Sequence, residues 1–373
     1  MNTSIALFSV EYKNQKLHMM RYSLLFIFLL SISLFACRSG NQSGEGPLSS
    51  ILPSSTGAAD EVMFVIPDQL NTDDTKSIIN QSFNKLYRIL PKEESIFTIS
   101  KVDFSAVNSL MYRFRNIVLI ANTSENGELL AMAKDILSPE QFADLESGNQ
   151  STFLLKNIWS KPQNVIFIFG SSDEVLKENI VSSAPSIIER IQETDLVAHK
   201  KIAYLNGVNV KLKEQLKTYY NIEWDLPTDY KMAENEGSFI SFRKDVPKGM
   251  IFIYFDVIEY SGTVPDANYG IVLRNERGKY VSSNVANSYM STDSTLGFIE
   301  TRTEKNGIIT YETSGLWRME NDFMGGPFIN QYIIDNANNR VILLDGFMFA
   351  PGEDKKKRYM RQIEGVFSTL NVL

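Results

Sequence analysis

One cysteine, Cys37, and two histidines, His18 and His199, are all the thiol and imidazole in this 373-residue chain. That shortage excludes much. Zinc sites built from clustered cysteines need ligands the chain does not possess, and those built from two or three histidines are excluded from residue 37 onward, where His199 stands alone. A Ser-His-Asp triad in the body has only His199 to use. In DLVAHKKIAY the adjacent Lys200 and Lys201 oppose the imidazolium such a triad must form. His199 therefore reads as a surface or capping residue, and no catalytic residue, metal or cofactor is indicated. Positive charge is also short, with 37 Lys and Arg against 44 Asp and Glu and a net charge of −7. Binding phosphates needs clustered basic charge, so nucleic acid is not expected as a partner.

Long hydrophobic runs are missing as well. Residues 24–30 (LLFIFLL), behind Arg21, fall short of the roughly 20 apolar residues that a spanning helix needs. A basic start, a short apolar stretch and a small residue before the cut are the parts of a secretory signal. Leu34-Phe35-Ala36-Cys37 closes it and resembles the lipobox of bacterial lipoproteins, whose thiol is acylated before the chain is cut in front of it. That resemblance implies a signal over residues 1–36, with Met19 or Met20 available as the true start, and a membrane partner through lipid on Cys37. Residues 37–60 are rich in Ser, Gly and Pro and read as a flexible tether, holding the body roughly 25 Å from its anchor. No acid follows Cys37 before Glu45, whereas surface-exported lipoproteins of the Bacteroidetes type carry acids there. The expected place is the outer membrane, with the body facing the periplasm.

The expected fold is α+β, with two lobes of mostly antiparallel sheet and packed helices at 61–220 and 221–373. In the first lobe EVMFVI, NIVLIA and NVIFIF read as strands, and Ile79, Phe83, Leu86 and Leu90 recur at helical spacing over residues 71–90. A helix opens after Gly170-Ser171-Ser172, where Ser171 and Glu174 have the spacing of a capping box. Pro185 begins a second helical segment, and a lysine-rich helix over 208–220 ends the lobe. In the second lobe residues 239–242, 250–258, 308–313, 328–335 and 340–349 read as strands. Asn336-Ala337-Asn338-Asn339 turns the last two into a hairpin. A terminal helix follows Pro351-Gly352, with Met360, Ile363, Phe367 and Leu370 inside and Lys355 to Arg358 in solvent.

Acidic pairs occur at Asp225/Asp229, Asp256/Glu259 and Glu320/Asp322, and two carboxylates across a cleft suffice for glycoside hydrolysis. More is carried by Gly315-Leu316-Trp317, Met324-Gly325-Gly326-Pro327-Phe328, Gly346-Phe347, Ala350-Pro351 and Arg361-Gln362 with Glu364. Through these the chain closely resembles an uncharacterised family of Bacteroidetes envelope lipoproteins, domain of unknown function 4837, over about the whole mature body. The resemblance implies a compartment and a lipid anchor and brings no activity. The order of the second lobe is similar to the PsbP-like α/β sandwich. Two glycines before a proline allow backbone that side chains forbid. Such a turn either serves packing or presents Trp317, Met324 and Phe328 as an interaction surface, with Gly325, Gly326 and Pro327 at its centre. The expected function is a non-enzymatic binding or assembly component of the outer envelope, with other envelope proteins as partners. The alternative is a carboxylate-based hydrolase of wall or surface polysaccharide.

Overall fold

EVMFVI, NIVLIAN and NVIFIFG are apolar at nearly every position, so neither face of a strand built from them can meet water. In the computed structural model, which describes residues 52–124, 127–260, 262, 268–305 and 308–373, they form the centre of a five-stranded sheet. They are β1 (Glu61–Ile66), β3 (Asn116–Asn122) and β5 (Asn164–Gly170), flanked by β2 (Thr98–Asp103) and β4 (Thr152–Lys156) in the order β2-β1-β3-β5-β4. Three of the pairings are parallel and only β4–β5 is antiparallel. The α+β class holds, while the antiparallel pairing expected of both lobes belongs to the second sheet. Parallel neighbours need crossover connections, and the helices between the strands supply most of them. α1 (Asp73–Phe83) and α4 (Asp173–Ala203) pack on one face, and α2 (Glu128–Ile136) and α3 (Pro139–Glu146) on the other.

The second sheet is antiparallel throughout. After α5 (Val210–Tyr220) and the short β6 (Ile222–Glu223) come β7 (Lys231–Glu236), β8 (Phe239–Val246) and β9 (Gly249–Glu259). α6 (Tyr269–Gly278), β10 (Tyr289–Lys305), β11 (Ile308–Glu320), β12 (Gly325–Asp335) and β13 (Arg340–Phe349) follow. The order is β10-β11-β12-β13-β9-β8-β7. The asparagine-rich turn joins β12 to β13 as expected, with Asn339 in the left-handed region. α7 (Lys357–Phe367) closes the chain, and β14 (Asn371–Val372) pairs back onto β6.

α7 lies between the two sheets. Met360, Ile363, Val366 and Phe367 are buried against Ile329, Ile342 and Leu344 of the second sheet, in the same core cluster as Phe64 and Val118 of the first. Each fully buried side chain of this size contributes about 1.5–3 kcal/mol. Two glycines set the approach. A Cβ at Gly346 would stand 2.3 Å from Ile363 Cγ2, and one at Gly365 would stand 3.1 Å from Lys200 Cα on α4. Residues 52–373 thus form one compact unit. Cys37 and the signal segment lie outside the described residues. Of the expected tether, residues 52–60 are described, and they are attached: Thr56 N donates to Arg113 O at 2.8 Å and Ser55 N to Lys161 O at 3.2 Å.

Several local expectations change. The helix expected over 71–90 stops at Phe83, Leu86 is exposed, and Tyr87 N instead donates to Glu94 O at 2.8 Å. Pro185 does not start a new segment but lies inside the 31-residue α4. It deprives the Val181 carbonyl of its usual donor, yet Ile180, Ala184, Ile187 and Ile191 bury one continuous stripe, and tertiary packing carries the helix through. The cap of α4 is Ser172, not Ser171, with Ser172 Oγ accepting from Val175 N at 3.3 Å. Lys357 is not in solvent: its Nζ reaches Asp60 Oδ2 at 2.7 Å and donates to Ser95 O at 2.7 Å.

The Gly-Gly-Pro-Phe run opens β12 rather than forming a turn. Gly325 and Gly326 are absent from the positive-φ residues, so dihedral freedom is not their role. A Cβ at Gly326 would stand 2.1 Å from the Met348 carbonyl oxygen, which accepts from Trp317 Nε1 at 3.1 Å. Trp317 and Phe328 are 2% and 1% exposed, Gly326 and Pro327 are buried, Met324 is half-buried and only Gly325 is exposed. The expected interaction surface is therefore core, because Trp317 packs edge-on against Phe347 with ring centroids 5.3 Å apart. Trp317→Ala should lower the unfolding free energy by about 3–5 kcal/mol through the cavity it leaves. Gly326→Val should cost about 1–3 kcal/mol by overpacking. Urea titration measures both, and an unshifted midpoint for Trp317→Ala would refute this packing.

Candidate functional site

The α7 sequence KRYMRQIEGVF turns its apolar residues to the core and still buries Arg361, Gln362 and Glu364. A buried charge costs several kcal/mol unless paired, so partners must be present. Glu364 accepts from Tyr87 Oη at 2.6 Å, Arg88 Nε at 2.7 Å and Arg361 Nη1 at 2.5 Å. Arg361 Nε continues to Asp195 Oδ2 at 2.6 Å, and its Nη2 donates to Gln192 O at 2.9 Å on α4. Arg88 also reaches Glu312 on β11 at 2.5 Å, and the other oxygen of Glu312 accepts from Gln331 Nε2 on β12 at 2.6 Å. The network joins the loop after α1, α4, α7 and the second sheet. Arg88 sits at φ 29, a conformation that costs roughly 1–2 kcal/mol for a non-glycine residue and is offset by its two carboxylates.

These contacts set the ionisation. Burial pushes the Glu364 carboxyl upward, but Arg88 and Arg361 outweigh it and hold it below the usual carboxylate range. Burial likewise opposes Asp195, and the hydrogen bond from His199 with the charge of Arg361 holds it low. His199 Nδ1 lies 3.0 Å from Asp195 Oδ1, and its side chain is 12% exposed. The expectation of a surface histidine is corrected. Desolvation disfavours its charge, yet the bond to Asp195 prevails and raises its pKa. The one-turn spacing of Asp195 and His199 on a helix is the signal that could have found this pair.

His199 also lines a cleft of about 1210 Å³. One wall is the last part of α4, with Thr194, Ala198, His199 and Lys201; Arg115 precedes β3 on the floor, and Lys355 and Lys357 stand at the entry to α7. Asn164 Nδ2 donates to Thr194 Oγ1 at 2.9 Å and to Asn116 Oδ1 at 2.8 Å, tying the segment beside Arg115 to the wall. The acids of the cleft are largely committed. Asp60 holds Lys357, Asp354 faces Lys92 at 3.5 Å, and Glu94 accepts from Lys356 N at 2.6 Å.

None of the acidic pairs read from the sequence stands in this cleft. Asp225 pairs with Lys213 at 2.9 Å, Asp229 with Lys244 at 3.1 Å, Asp256 with Arg277 at 2.5 Å and Glu320 with Arg318 at 2.9 Å. A second buried pair lies under α6, where Arg274 meets Asp345 at 2.8 Å with both side chains fully buried. The Arg274 guanidinium stacks 3.8 Å from the Phe328 ring centre, which gives that phenylalanine its structural task.

Glu364→Gln leaves the buried Arg361 and the half-buried Arg88 short of charge and should destabilise the fold by about 3–5 kcal/mol. The pH dependence has two flanks. Asp195 and Glu364 contribute stability above their unfolded values near pH 4, lost as acid passes their lowered folded values. His199 contributes below its unfolded value of about 6.5, lost as pH rises through its raised folded value. Urea midpoints measured against pH should peak between these limits, and His199→Gln should remove the alkaline decline attributed to this residue.

No curated protein matches the chain. Among solved structures it is similar to the Saccharomyces cerevisiae Ran-binding protein Mog1p, at 8% identity over 41% of this chain and 92% of that one, with a TM-score of 0.29. Human STARD10 matches at 7% identity over 43% and 74% of the two chains, with a TM-score of 0.21. Residues 55–204 match the family described as Domain of unknown function (DUF8532). Residues 209–369, the second part of the body over which the resemblance was expected, match the family described as Domain of unknown function (DUF4837).

Proposed function

We propose that this chain is a non-enzymatic binding or assembly component of the bacterial cell envelope, anchored by lipid on Cys37. The observation that carries the reading is Leu34-Phe35-Ala36-Cys37 closing a short apolar run, with the only thiol of the chain at the position that would be acylated. Ser, Gly and Pro follow it and then a compact body beginning near residue 52. Among the described residues no helix is long and apolar enough to cross a membrane. The absence of acid between Cys37 and Glu45 supports an outer-membrane anchor with the body toward the periplasm.

The cleft beside His199 is the surface we assign to binding, and other envelope proteins or their ligands are the partners. The hydrolase alternative has less support. It needs two facing carboxylates free to exchange protons, whereas Asp60, Glu94 and Asp354 are held by lysines or backbone N–H groups. Intact-mass analysis of membrane-extracted protein should show a chain beginning at Cys37 with a diacyl or triacyl adduct. A free thiol, or a different first residue, would remove the anchor from this reading.

A further inference from the structure

Six basic side chains line the cleft beside five acidic ones, and not all of the basic ones are paired; Arg358 meets Glu353 at 2.8 Å. Lys357 is spent on Asp60, and Lys92 faces Asp354. Arg115, Lys201 and Lys355 also line the cleft, and among the described residues none of their side chains has a hydrogen-bond or ion-pair partner. Arg115 is the telling case. It is half-buried, and its Nε is sealed from solvent without an acceptor. With Nε enclosed, the guanidinium can meet an acceptor in the cleft only through its Nη groups, which are not sealed in this way. His199 adds a second directed donor: Asp195 occupies Nδ1, so a protonated ring has Nε2–H left for the cleft. Glu61 and Glu94 accept backbone N–H groups and keep their charge, and Glu93 is the one carboxylate of the lining without a partner among the described residues.

We propose that this cleft binds the oxyanion group, phosphate or carboxylate, of a small ligand, held by Arg115 and His199 with Lys201 and Lys355 at the rim. A guanidinium fork suits either anion, because both present paired oxygens to parallel N–H donors. The chain is acidic overall and the lining itself is nearly balanced in charge, so what distinguishes this site is the unpaired donors of Arg115, Lys201 and Lys355. The assignment rests on reading the cleft as the binding face and does not depend on the anchor at Cys37.

The test is isothermal titration calorimetry on the full chain in detergent at low ionic strength, with inorganic phosphate and acetate as separate titrants and chloride as the reference. Saturable binding of at least one anion beyond the chloride response is expected, and which one responds identifies the group. Arg115→Gln should weaken it about tenfold or more, the loss of one charge-assisted hydrogen bond. The double variant Lys201→Gln/Lys355→Gln changes exposed side chains only and should also weaken binding, which keeps the test open if Arg115→Gln misfolds. Lys279→Gln, on the exposed end of α6, should leave affinity unchanged. No saturable heat with either anion, or full affinity retained in the folded variants, would overturn the site. Anion binding by a chain that carries no acyl group would leave this inference standing and remove only the anchor.

Discussion

Everything in the assembly of this protein must accommodate one carboxylate buried between two guanidiniums. Glu364 sits on the helix layer shared by two sheets of different pairing, and its partners arrive from distant parts of the chain: Tyr87 and Arg88 from a loop, Arg361 from its own helix. Removing such groups from water costs several kcal/mol per ion, and only the complete set of contacts offsets it. A docking of the sheets that shifted α7 by one turn would leave these charges unpaired. The hydrophobic surface of α7 supplies the attraction, and the ion network restricts it to one arrangement.

The same constraint explains the end of α1. Continuing that helix past Phe83 would be favoured by the spacing of its apolar residues, yet Tyr87 and Arg88 must reach Glu364. The chain therefore leaves the helix and places Arg88 at positive φ. Local preference gives way because two charge-assisted hydrogen bonds outweigh the cost of one unfavourable residue.

The network also builds the wall of the cleft. Asp195 is shared between Arg361, which faces the interior, and His199, which lines the cleft. One turn of α4 thus connects a buried structural ion to the largely buried imidazole that lines the cleft. Farther along the helix Lys201 is exposed, and across the cleft Arg115 has a donor with no acceptor. The cleft thus gathers unpaired basic side chains in a chain that is acidic overall.

The sequence by itself determined the α+β class, the central strands, the asparagine hairpin and the terminal helix, since each follows from apolar periodicity or turn chemistry within a few residues. It also singled out the Trp317 and Gly-Gly-Pro region as informative, and the DUF4837 match was legible in its motifs. What it could not decide was which polar residues are buried, because burial depends on partners far away in the chain. Arg361 and Glu364 look like solvated helix residues until α4 and the loop after α1 close over them. His199 looks like a surface residue among lysines until Asp195 and the body fold around it. Trp317 looks like an anchor for a partner until Met348 accepts its N–H and Gly326 lets the strands meet. Local pattern fixes elements, whereas pairing of charge and close approach of backbone are settled only when the elements pack.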